Sequence, residues 1–117
     1  MPQFLLTIHR PNNYNPATAE DATMRQAIDH LNNEMVAAGI RVFVGGLQSL
    51  TTAKSVLPHP AGHTTAQPTI THGPYLKTPE LIGGLWVLDL PTIDQALIWA
   101  TKAALACRAP VEVRPFH

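Results

Sequence analysis

The chain holds one cysteine, Cys107, among its 117 residues. A single thiol forms no internal disulfide, so any fold must rest on packing alone. An excess of one charge is missing too. Eight basic residues balance eight acidic ones, which excludes the basic stripe that a nucleic-acid binder uses to displace counterions. No apolar run approaches the ~20 residues of a membrane-spanning helix. The opening MPQFLLTIHR has no basic start and no long apolar stretch, so the sequence predicts no signal peptide and a reducing, cytoplasmic setting. The length predicts one domain over residues 1–117, large enough to bury a single core without staples. Near-zero net charge favours association.

What the sequence does have is alternation and helical period in turn. Gln3 to His9 alternates as a first strand, with Phe4, Leu6 and Ile8 on one face and Leu5, Thr7 and His9 on the other. After the loop PNNYNP, apolar residues at Met24, Ala27/Ile28, Leu31, Met35 and Ala38 predict one helix over 17–38. Thr18 to Asp21 resembles its capping box and Pro16 suits the first turn. Gly39 ends the helix, and IRVFVGG reads as a second strand. TAKSVL and QPTITH predict a hairpin around the loop tip PHPAGHTTA, which carries His59 and His63. LIGGLWVLDL, apolar on both faces, predicts a central strand. Thr92 to Gln95 caps a second helix running to about Cys107, with Ile93, Ala96/Leu97, Ala100 and Ala104 inward, and VEVRPF closes the chain as a strand. The order β-α-β, hairpin, β-α-β predicts an α+β class domain, a ferredoxin-like sandwich with both helices on one side of an antiparallel sheet. The bare sheet face, carrying Leu5 and a candidate place for Trp86 or Leu88, calls for a cover, and the simplest is the sheet of a second copy.

THGPYLKTPELIGGLWVLDLPTIDQALIWA followed by VEVRP resembles the YCII-related family, and within it the DGPF (DGPFAETKE-motif) branch. Gly73-Pro74 match the motif, Tyr75 stands where Phe is usual, and Thr78, Glu80, Gly83 and Gly84 match in register. AAGIRVFVGGLQSLTTAKSV is similar to an upstream family segment. His72 replaces the motif's leading acid, and Pro79 its lysine. The resemblance implies a homodimer, two ferredoxin-like protomers joined sheet to sheet as a dimeric α+β barrel with a cleft in each. A first-helix histidine of some relatives falls near Ile28 and not on His30, so its dyad with an aspartate is not carried over. Activities among relatives are mostly unassigned and include cofactor-free acid–base steps on small, often aromatic, compounds. The resemblance therefore implies a small-molecule-binding protein; as an enzyme it would be a cofactor-free lyase or isomerase, of dehydrohalogenase-like chemistry. The alternative is a non-catalytic ligand sensor or protein-interaction dimer.

Five residues carry the candidate chemistry. His9 and His72 are the candidate catalytic groups, since imidazole moves protons near neutral pH. The competing readings are a strand-end surface histidine for His9 and a turn residue for His72. Glu112 and Arg114, two apart on one strand face, suit holding a polar ligand, with Arg114 facing a developing oxyanion; equally, they suit an ion pair that fixes a dimer's register. Tyr75 is the third candidate for ligand contact. No zinc-like spacing is present, so no metal and no cofactor are expected.

Overall fold

The computed structural model describes residues 1–59 and 67–117; residues 60–66 of the predicted loop tip, His63 among them, lie outside the described residues. The elements are β1 (Gln3–Pro11), α1 (Pro16–Ala19), α2 (Ala22–Ala37), β2 (Arg41–Gly46), a 3-10 turn (Leu50–Thr52), β3 (Lys54–Leu57), β4 (Thr69–His72), β5 (Glu80–Asp89), α3 (Ile93–Cys107) and β6 (Val111–Pro115). The domain is α+β. Four strands form an antiparallel sheet in the order β2-β5-β1-β6, and β3 and β4 pair as a separate antiparallel hairpin.

Period-2 alternation divides the sheet into two unlike sides. Phe4 and Leu6 of β1 join Trp86 and Leu88 of β5 in one core with Leu31 and Met35 of α2 and Ala96, Ala100, Ala103 and Cys107 of α3. Val111 and Val113 of β6 pack against the same core. The other side carries no helix among the described residues. The register aligns Phe43, Val87, Leu5 and Arg114 in one row across it, and Leu85, Thr7 and Glu112 in the next. Trp86 and Leu88 thus belong to the helix-covered side, not to the bare one. Both faces of β5 are apolar, so its pattern alone gave no side.

The first helical segment breaks in two. Asn15 caps α1 by accepting from the Ala17 amide at 3.1 Å, with Pro16 in its first turn. Asp21 is extended, at φ −92° and ψ 175°, and accepts from the Met24 amide at 2.8 Å. It is therefore the N-cap of α2 and not the far member of a capping box around Thr18. That capping bond, with Arg108 at 3.0 Å as a second donor, holds the Asp21 carboxyl below its ordinary range.

Thr92 caps α3 as expected, accepting from Gln95 at 3.2 Å. The inward line of α3 is Ala96, Ala100, Ala103 and Cys107, whereas Ile93 and Leu97 face outward. Small residues at these positions let the helix sit close on the sheet, so the bulkier neighbours are turned away. Arg108 ends the helix in the left-handed region at φ 52°, and its side chain reaches Asp21, joining the end of α3 to the start of α2.

Candidate functional site

At the end of the sheet where β1 leaves and β5 enters, the ladder carries a bulge. Ile8 pairs with Gly84 but His9 pairs with Ile82, which leaves Gly83 as the extra residue. A Cβ on Gly83 would stand 2.6 Å from Cγ of Arg10, so the missing side chain is the space through which Arg10 passes. Consecutive residues then serve opposite sides. His9 lines a cavity on the side without helices, and Arg10 lines one on the helix side.

The cavity at His9 has a volume of about 650 Å³. Its walls come from the 3-10 turn region (Ser49, Leu50), from the loop after β4 (Pro74, Tyr75) and from the start of β5 (Glu80, Ile82). Gly73 makes this loop possible. Its φ of +96° is open to glycine, its amide donates to the Ala53 carbonyl at 2.7 Å, and its carbonyl accepts from the Ser55 hydroxyl at 2.8 Å. The corner is thereby tied to β3, and Tyr75 is held out, 72% exposed, at the rim. The His9 ring folds back on its own strand, with Nε2 3.1 Å from the Thr7 hydroxyl.

Two of the five predicted residues, His9 and Tyr75, therefore share a cavity, and Glu80 of the motif lines it with them. The other three stand apart. Glu112 and Arg114 form an ion pair at 3.1 Å on the uncovered face of β6, both exposed. They face Thr7 and Leu5 in register and line neither cavity. His72 lies on the hairpin, where its Nδ1 accepts from the Lys54 ammonium at 2.9 Å; it too lines neither cavity.

The helix-side cavity, about 590 Å³, was not foreseen. Its apolar wall includes Ile8, Ile28, Val44 and Trp86, and its polar members include Arg10, Tyr14, Glu20 and Asn32. Arg10 donates to the Cys107 carbonyl at 2.6 Å and lies over the Tyr14 ring, 4.4 Å from its centroid. The Tyr14 hydroxyl donates to Glu20 at 2.7 Å. Burial and that bond push the phenol up to about 12, so it stays a donor. Asn32 is engaged at both ends of its amide. Its oxygen accepts from the Trp86 indole at 2.9 Å and its amide donates to the Ile28 carbonyl at 3.1 Å. Burial also pushes the Cys107 thiol up, which leaves it a poor nucleophile.

One signal pointed here. Continuing the β1 alternation one residue past His9 puts Arg10 on the side of Phe4, Leu6 and Ile8. Tyr14 sits in a loop and Glu20 at the break between α1 and α2, where no periodicity marks them. Among the described residues no three His, Cys, Asp or Glu side chains are gathered to hold a metal ion, and no helix is long and apolar enough to cross a membrane. Compared with known proteins, the chain matches no family model and no curated protein.

Proposed function

We propose that this chain is a homodimeric, small-molecule-binding protein of the YCII-related type. Its protomer is ferredoxin-like, and its uncovered sheet face meets that of a second copy in a dimeric α+β barrel. The observation that carries the binding reading is the cavity that His9 and Tyr75 share, two residues far apart in the chain. Its volume lies in the range of small-ligand sites, ~300–1,000 Å³. Its walls are mainly apolar, with hydroxyls from Ser49, Thr52, Tyr75 and Thr78, a setting for a small aromatic compound with one or two polar groups.

Two features support the dimer. Phe43, 57% exposed, stands beside half-buried Val87, Leu5 and Leu85 on the uncovered face. The radius of gyration is 16.8 Å, against about 13 Å for a compact chain of this length. In the barrel the Glu112–Arg114 pair sets register between copies.

Catalysis, in this reading, is cofactor-free proton transfer by His9, with the Thr7 hydroxyl holding one ring nitrogen and the other turned to a ligand. A second reading, a non-catalytic interaction protein, is favoured by one observation. The outer face of α3 exposes Leu97, Ile98 and Leu105, a surface that sheet-to-sheet pairing leaves open.

A thermal-shift screen with small aromatic acids, phenols and quinones tests the binding reading. The expected result is a raised melting point with at least one compound, lost in His9→Ala and Tyr75→Ala. A flat response to the whole panel sinks it in favour of the interaction protein.

A further inference from the structure

We propose that the helix-side cavity, between Arg10 and Glu20, binds a small zwitterion: an α-amino acid with an apolar side chain. The inference is independent of the His9 cavity and of the dimer. Two opposite charges line one cavity without neutralising each other. Arg10 lies within ion-pair distance of no carboxylate, and Glu20 of no cation, among the described residues. Arg10 spends one N–H on the Cys107 carbonyl and shows no other hydrogen bond. Its remaining donors suit the two oxygens of a carboxylate. Glu20 uses Oε2 to accept from Tyr14, and its Oε1 shows no partner. That oxygen suits an ammonium group.

Neither group is left to wander. Arg10 is held by the Cys107 carbonyl, by the Tyr14 ring and by the gap at Gly83. Glu20 is held by Tyr14, which stands between the two charges and keeps them apart. A ligand that brings its own negative and positive ends meets both at once. A zwitterion satisfies the pair with no change in net charge. Ile8, Ile28, Val44, Leu50 and Trp86 give the cavity an apolar wall that takes the side chain.

The test is a calorimetric and amide-NMR titration of the intact protein with L-leucine, L-methionine and L-phenylalanine. Each is compared with its half-ligands, the acid lacking the amino group and the amine lacking the carboxylate. The expected result is binding of at least one amino acid, with each of its half-ligands about tenfold or more weaker. Arg10→Gln should erase the preference over the amine, and Glu20→Gln the preference over the acid. His9→Ala should leave both intact, which separates this site from the other cavity. Equal binding of a half-ligand to the unaltered protein overturns the proposal, whether or not the variants fold. So does the absence of binding by all three amino acids at ~10 mM.

Discussion

The two sides of one sheet differ in how far this chain alone completes them. On the helix side Trp86 and Leu88 are 1% and 0% exposed, and their neighbours come from α2 and α3. On the other side Val87, one residue along β5, and its β2 neighbour Phe43 meet no second layer among the described residues. The covered side determines whether the chain folds, while in the proposed dimer the uncovered side determines what it folds against. Changes of the same size should therefore act on different observables.

The largest expected effect is on the covered side. Trp86→Ala removes the largest buried side chain and strips Asn32 of a donor, and should cost ~3–5 kcal/mol in chemical denaturation. Val87→Lys, its strand neighbour on the other side, should instead convert a dimer to a monomer in sedimentation while circular dichroism keeps its shape. If Val87→Lys unfolds the chain as Trp86→Ala does, the contrast between the sides is wrong. Gly83→Ala comes next, because the new Cβ drives into Cγ of Arg10, an atom too near the backbone to swing clear. An overpacking loss of ~1–3 kcal/mol is expected, together with release of Arg10 from Cys107. Thr92→Ala, remote from both cavities, should cost about 1 kcal/mol as an ordinary lost cap, and gives the scale of a purely local change.

The smallest effects are in pH. Asp21 is depressed by its capping bond and by Arg108. Its contribution is present above the ordinary 3.8 and fades as pH falls through the lower folded value. Acid melting curves of Asp21→Asn should therefore lack that loss. Tyr14 behaves in the opposite sense. Its folded value, about 12, lies above the ordinary 10.0, so its contribution is whole below pH 10 and disappears as pH rises through about 12. Tyr14→Phe should be less stable near neutrality and flatter in the alkaline limb.

Local signals were legible in the sequence wherever one face is polar. The alternation in β1 gave its buried side from Phe4 and Leu6, Thr92 announced the start of α3, and Gly39 the end of α2. The α+β order followed from these. Legibility failed where the pattern is uniform or the outcome is tertiary. LIGGLWVLDL is apolar throughout, so nothing local assigned Trp86 to the helices. In α3 Ala96 and Ala100 were read as inward from their spacing, but the close approach of helix to sheet turns Ile93 and Leu97 outward and buries Ala103 in place of Ala104. Asp21 looked like the end of a capping box because its extended backbone cannot be read from residue type. Of the candidate site, His9 and Tyr75 were named from the sequence. Arg10 was missed by ending β1 two residues early, and Tyr14 and Glu20 because a loop has no period to betray its neighbours.

The corner between α3 and β6 links the two sides physically. Arg10, on the helix side, holds the Cys107 carbonyl; the His9 amide, one residue earlier, donates to the Pro110 carbonyl at 3.0 Å; Arg108 between them holds Asp21. Three tethers thus end within four consecutive residues. A guest that draws Arg10 toward itself slackens one tether while the other two keep the corner in place. Hydrogen exchange at the amides of Arg108 and Ala109, which close the end of α3 onto the Ala104 carbonyl, then becomes a gauge of occupancy read from outside either cavity.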